Sequence, residues 1–161
     1  MTTTEPRLPL PALLDEVRVL AVERMQERLR ASGFDDVRPS HGCVFRFIDR
    51  ETGSRLTDLA ELSGLTKQSV GEVVADLEEM GYVHRVPDPN DRRAKTIMLT
   101  ERGHEASSLA RELFDVIEAE WASAVGEELV GCLRSAAERI IELEHEGAPP
   151  RVRALLAGKV P

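Results

Sequence analysis

Residues 56–103 read LTDLAELSGLTKQSVGEVVADLEEMGYVHRVPDPNDRRAKTIMLTERG, and the fold is decided there. Leu59, Ala60 and Leu62 make a short amphipathic helix that Thr57 can cap, Gly64 makes a turn, and Thr66 can cap a second helix. In that second helix Val70, Val73, Val74, Leu77 and Met80 recur at i, i+3, i+4 and i+7, and Gly81 supplies the stop. Two helices joined across a tight glycine turn form a helix-turn-helix. With the apolar row facing a core, Lys67, Gln68, Ser69, Gly71, Glu72 and Ala75 are left outward, mainly on the N-terminal half that in such motifs meets base edges.

Downstream, residues 82–86 and 96–99 read as two short strands with turn material over 87–93 between them, which makes a β-hairpin wing. Thr100 then caps a long helix bearing Ala106, Leu109, Ala110, Leu113, Phe114, Ile117 and Trp121. A last helix follows with Leu129, Cys132, Leu133, Ala136, Ile140 and Leu143, and the tail from Gly147 starts a short separate segment. Upstream, Leu10, Leu13, Leu14, Val17, Leu20, Ala21, Met25 and Leu29 mark a long first helix that ends near Gly33. Ser40 caps a second, unusually apolar one through Val44, Phe45, Phe47 and Ile48 to about Arg50. The fold class expected is mainly α, a winged helix-turn-helix with long terminal dimerisation helices. Residues 1–54 form N-terminal dimerisation and linking helices, 55–100 the DNA-binding lobe, and 101–161 the C-terminal dimerisation helices and tail.

Composition narrows the function. With 161 residues and few aromatics, the chain is one helix-rich unit with a sizeable core. Its net charge of −8 excludes coating nucleic acid through bulk electrostatics, so DNA contact must be local. Around the second helix start (67–69) and the wing (84–95) there are five cations, Lys67, Arg85, Arg92, Arg93 and Lys95, against Asp88 and Asp91. Cys43 and Cys132 form no CxxC, and His41, His104 and His145 show no i, i+4 pair, so no metal and no cofactor is expected. There is no GxSxG, HExxH or phosphate-binding glycine loop, so the chain is not read as an enzyme. The start lacks a signal peptide and no run approaches a membrane span, so a cytoplasmic protein with no membrane partner is expected.

Two blocks of words, LTDLA with GLTKQSV and LEEMGYV in the helix-turn-helix and DPNDRR followed by LTERG in the wing, resemble the MarR family at matching spacing. The resemblance implies a triangular homodimer with interlocked terminal helices, a recognition helix in the major groove of each half-site of a pseudo-palindromic operator, and a wing in the adjacent minor groove. It therefore implies a sequence-specific transcriptional regulator, more specifically a ligand-responsive repressor. Carried onto this chain, the DNA-binding residues are Thr66, Lys67, Gln68, Ser69, Gly71, Glu72, Asp91, Arg92, Arg93 and Lys95. Arg93 is the groove contact, with Asp91 pairing its guanidinium, whereas Arg92 and Lys95 touch phosphate. Family members often carry basic residues along the recognition helix, and here Glu72, Asp76, Glu78 and Glu79 follow Lys67 instead. Glu72 then either accepts from a cytosine amine or excludes wrong sequences.

The family commonly holds a small aromatic or phenolic effector between the dimer helices and the DNA-binding lobe. Met25, Leu29, His41, Phe45, Ile48 and Leu113 are the corresponding candidate lining, with His41 as polar handle. Two alternatives stay open: a redox- or metal-sensing regulator acting through Cys43 or the histidines, and a winged-helix protein-interaction module that binds no DNA. Against the first, Cys43 on an apolar helix reads as an inert small hydrophobe.

Overall fold

The computed structural model describes residues 7–88, 91 and 93–143. The chain is mainly helical, in the order α1 (Leu10–Ala31), a 3-10 turn (Pro39–His41), α2 (Gly42–Phe45), β1 (Ser54–Arg55), α3 (Leu56–Ser63), α4 (Lys67–Glu79), β2 (Val83–Pro87), β3 (Lys95–Leu99), α5 (Glu101–Val125) and α6 (Glu127–Leu143). The three strands form one antiparallel sheet in the order β1-β3-β2, with Val83 opposite Leu99 and Ser54 opposite Ile97. A helix-turn-helix followed by this small sheet is a winged helix, as the hydrophobic spacing predicts.

Four details differ from the sequence reading. The helix expected from Ser40 to about Arg50 is a 3-10 turn plus a single α-turn, Gly42–Phe45, followed by a turn in which the Ile48 N–H still donates to the Val44 carbonyl at 2.9 Å and Ile48 reaches the core. Thr57 lies inside α3 and does not cap it; Arg55, extended at ψ 150, is the N-cap. That extension has a cause: Ser54 and Arg55 pair with β3 as a third strand, too short to leave a periodic signal. Tyr82 precedes β2 and is wholly buried, packed edge-on against the Phe45 ring.

The caps expected at Thr66 and Thr100 are present, their hydroxyls accepting the backbone N–H of Ser69 and of Gly103, each at 3.1 Å. Gly64 ends α3 at φ +70, which a residue with a Cβ rarely adopts. Gly103 is a glycine for a different reason: a Cβ there would run into the Tyr82 carbonyl oxygen, so α5 crosses the lobe only at a residue without a side chain.

The core gathers Met25 and Leu29 of α1, Val44, Ile48, Leu59, Val70, Val74 and Leu77, and Ile97 with Leu99 of the wing. The apolar stripes at the two ends of the chain behave otherwise. Leu10, Leu13, Leu14, Val17 and Leu20 of α1, Phe114 and Val125 of α5, and Leu129, Leu133, Ile140 and Leu143 of α6 are all exposed, and α6 buries no residue. No helix among the described residues is long and apolar enough to cross a membrane. His145 and the tail from Gly147, expected to form a separate segment, lie outside the described residues.

Candidate nucleic-acid interface

Helix α4, the second helix of the helix-turn-helix, is oriented by its own sequence. Val70, Val74 and Leu77 are fully buried, so Lys67, Gln68, Ser69, Glu72 and Ala75 face solvent and Gly71 is half-buried beside them. Thr66 holds the helix start, and its hydroxyl lies 2.8 Å from that of Ser69. The Gln68 amide donates to Glu72 Oε1 at 3.2 Å, so these two exposed side chains form one unit on the outer face. Two of the remaining carboxylates are matched by arginines from outside the helix: Asp76 by Arg38 at 3.4 Å and Glu78 by Arg85 at 3.2 Å. The acidic character of α4 is thus partly neutralised in place, although pairs this exposed contribute little to stability.

The wing is organised by Asp88, which the sequence reading placed in the turn and counted as one of two acidic residues there. Its carboxylate is nearly buried and accepts from Arg55 Nε at 2.7 Å, from the Thr96 hydroxyl at 3.1 Å and from the Asp91 backbone N–H at 3.1 Å. One side chain therefore ties β1, β3 and the hairpin tip together. The Asp-Pro step is the only sequence signal that pointed to it. The expected ion pair from Asp91 to the Arg93 guanidinium is replaced by a shorter link. Asp91 Oδ1 accepts the Arg93 backbone N–H at 3.0 Å, the usual habit of an Asx residue at a turn, and so aims the backbone at the tip. Arg93 and Lys95 are exposed; Arg92 lies outside the described residues.

At the base of the lobe Asp36 accepts from the Tyr82 hydroxyl and from both Arg102 contacts, at 3.0 and 3.2 Å, while Arg102 lies 4.5 Å over the Tyr82 ring. Burial together with the Asp36 contact pushes the Tyr82 phenol up to about 12. Sequence pattern gave no hint of this link, because its members are 20 to 66 positions apart.

A cleft of about 540 Å³ lies between α1, the turn leading into α2, and α5. Met25, Leu29 and Phe45 of the expected lining are on its wall. His41, Ile48 and Leu113 are not: His41 and Ile48 belong to the buried core beneath, and Leu113 packs partly buried against that core. His41 is fully buried, its Nδ1 accepts the Arg38 backbone N–H at 3.1 Å, and its Nε2 has no partner. Desolvation, helped by Arg38 and opposed by Asp76 and Asp36, lowers its pKa. Cys43 does reach the cleft wall, but burial pushes its thiol up, away from the thiolate that redox chemistry needs. Among the described residues no three His, Cys, Asp or Glu side chains gather as a metal site would require.

Residues 35–94 match the family model described as MarR family. The HTH-type transcriptional regulator PetP of Rhodobacter capsulatus is 36% identical over 74 residues, which are 46% of this chain and 43% of PetP. The transcriptional regulator HosA of Escherichia coli O111:H- is 31% identical over 78 residues, 48% of this chain and 58% of HosA. The chain thus spans about half the length of the curated relatives it matches. Among solved structures, CouR from Rhodococcus jostii RHA1, bound to p-coumaroyl-CoA, is 26% identical with a TM-score of 0.61, over 80% of this chain and 88% of CouR. The matched segment takes in the helix-turn-helix and the wing up to Ala94, and the family is one of transcriptional regulators rather than enzymes. Over that winged helix-turn-helix segment, the chain is similar to the MarR family.

Proposed function

We propose that this chain is a sequence-specific DNA-binding transcriptional regulator that acts as a homodimer, more specifically as an effector-responsive repressor. The observation that carries the reading is a single lobe on which an outward α4 start and a wing braced by Asp88 stand together. Thr66, Lys67, Gln68, Ser69, Gly71 and Glu72 are the major-groove set, and Arg92, Arg93 and Lys95 the wing set, with Asp91 fixing the backbone at Arg93. Residues 55–100 serve as the DNA-binding lobe. Residues 1–54 and 101–161 serve dimerisation, a role supported by apolar faces on α1, α5 and α6 that one chain leaves uncovered.

The cleft is read as the effector site, and CouR, crystallised with p-coumaroyl-CoA, makes an aromatic acid or its thioester a natural first probe. Selection of binding sites from random DNA, followed by gel shift and light scattering, tests the whole. An inverted repeat bound by two chains is the expected result. A folded monomer that enriches no sequence would leave the interaction-module alternative standing.

A further inference from the structure

The outward face of α4 is sparse in donors. Beyond Lys67 at its start it presents Gln68, Ser69, Gly71, Glu72 and Ala75, and the helix contains no arginine. Ser69 is engaged with the helix start, its hydroxyl 2.8 Å from that of Thr66. Gly71 and Ala75 flank Gln68 and Glu72 on the same face, so the two longer side chains stand clear on a nearly bare surface. A Cβ at Gly71 would meet only Leu56 Cδ2, at 3.8 Å, which is ordinary contact. Glycine inside a helix is less stable than alanine, so packing within the chain gives no reason for the missing side chain, whereas close seating of the helix on a partner does.

Gln68 Nε2 donates to Glu72 Oε1 at 3.2 Å. A carboxylate only accepts, so one orientation of the amide satisfies the pair, with its nitrogen toward Glu72. That leaves the Gln68 Oε1 acceptor and one N–H, side by side, for whatever is placed against the face. In the major groove adenine offers the complement, the N6 amine as donor and N7 as acceptor. Guanine offers two acceptors, N7 and O6, and its O6 would stand against Gln68 Oε1. A free glutamine can turn its amide over and donate to O6. One held by Glu72 loses its hydrogen bond on turning over and sets its oxygen against the carboxylate. The contact is exposed in the free chain and strengthens when a partner surface excludes water from it.

We infer that Gln68 reads an adenine in each half-site and that Glu72 is the positioning residue that fixes its amide and so excludes guanine there. This rests on the DNA-binding reading above, to which it adds the base and a reason for an acidic residue in the groove. The Glu72 charge weakens attachment to every sequence alike, and its contribution is discrimination.

The test uses the full chain. Sites are selected from random DNA by the wild-type, Gln68→Ala, Glu72→Gln and Glu72→Ala proteins, with circular dichroism as the folding control. One position per half-site should be adenine in the wild-type selection, preferred over guanine by at least about tenfold, and should lose that preference in Gln68→Ala. Both Glu72 variants should admit guanine at the same position, because the amide is then free to turn over, and should leave the neighbouring positions unchanged. A role for Glu72 in helix stability alone would move the melting temperature or scale all affinities together without admitting guanine at one position. In the wild-type site, 7-deazaadenine, which lacks N7, and purine, which lacks the N6 amine, should each weaken binding about fivefold at that position, and neither should matter to Gln68→Ala. Gly71→Ala should raise the melting temperature yet weaken the site several-fold, and unchanged affinity overturns the close seating. Guanine, cytosine or thymine as the base that depends on Gln68 overturns the adenine assignment. An adenine-to-guanine ratio that survives both Glu72 changes overturns the positioning role. A selected site in which no position depends on Gln68 overturns the inference and leaves DNA binding intact, whereas failure of the wild-type chain to enrich any DNA removes the proposed function and the inference with it.

Discussion

Arg55 Nε donates to Asp88 Oδ2 at 2.7 Å, joining the residue before α3 to the hairpin of the wing across 33 positions of chain. The same carboxylate also accepts from Thr96 and from the Asp91 backbone, so its removal leaves the buried Thr96 hydroxyl and a backbone N–H without their acceptor. Asp88→Ala should cost about 1–3 kcal/mol in urea unfolding. It should also loosen the hairpin, measured as faster amide exchange of residues 94–97, and weaken DNA binding. Asp88→Asn, which keeps an acceptor, should lie between the two. Unchanged exchange in a folded Asp88→Ala protein would show that the strands alone hold the wing.

Arg93→Ala, an exposed change at the wing tip, should leave the melting temperature nearly unaltered and reduce affinity for a selected site by about 1–3 kcal/mol, with loss of preference for flanking A·T steps. Glu72→Gln should act in the opposite sense, raising non-specific affinity and blurring one base-pair position. Because Gln68 donates to Glu72, Gln68→Ala should blur that same position. Site selection with the three variants decides it, and an unaltered preference in both α4 variants would place the Gln68–Glu72 unit in solvent.

How far the sequence foretold this arrangement depends on distance along the chain. Val70, Val74 and Leu77 are buried as their spacing requires, and the Thr66 and Thr100 caps sit where a hydroxyl precedes an apolar run. Both signals are local, written within a turn or two of helix. Asp88 with Arg55, and Asp36 with Tyr82 and Arg102, are non-local, so no periodicity marks them. The shortened α2 failed for a related reason: Phe47 and Ile48 are apolar because they pack against the core, and apolar spacing alone does not distinguish a helix from a turn.

The dimer proposed on the uncovered faces of α1, α5 and α6 predicts its own loss on charge insertion there. Each large apolar side chain withdrawn from water contributes about 1.5–3 kcal/mol. Leu129→Glu with Leu133→Glu on α6, both exposed in one chain, should therefore leave the lobe folded but halve the mass seen by light scattering. Operator affinity should fall with it. A double variant that stays dimeric would move the interface away from α6.

His41 predicts acid sensitivity with a definite sign. Its folded pKa is lowered, whereas the unfolded chain takes up a proton near the usual value of 6.5. Stability is therefore full above about pH 6.5 and falls as the pH drops toward the folded pKa, by at most about 1.4 kcal/mol per pH unit. His41→Asn retains an acceptor for the Arg38 N–H without the titration, so its unfolding free energy should vary less between about pH 7.5 and about pH 5. Equal slopes in the two proteins would assign the acid loss to other groups.

Tyr82 gives the complementary prediction at high pH, and as the chain's one tyrosine it can be followed alone by ultraviolet difference absorbance. Burial and the adjacent Asp36 raise its folded pKa from 10.0 to about 12. Below pH 10 the phenol is neutral whether the chain is folded or not, and the stabilisation is fully present. Between about 10 and about 12 the unfolded state ionises first, so stability falls through that window by at most about 1.4 kcal/mol per pH unit. The native protein should show a midpoint near 12 that moves toward 10 in denaturant. Asp36→Asn removes the charge that opposes ionisation while keeping an oxygen for the hydroxyl, and should lower the native midpoint. It also takes the carboxylate from Arg102, whose guanidinium then lies over the ring as an unpaired cation and favours the phenolate further. A native midpoint that Asp36→Asn leaves in place would mean that burial alone sets the value and that the Asp36 contact is incidental to the base of the lobe.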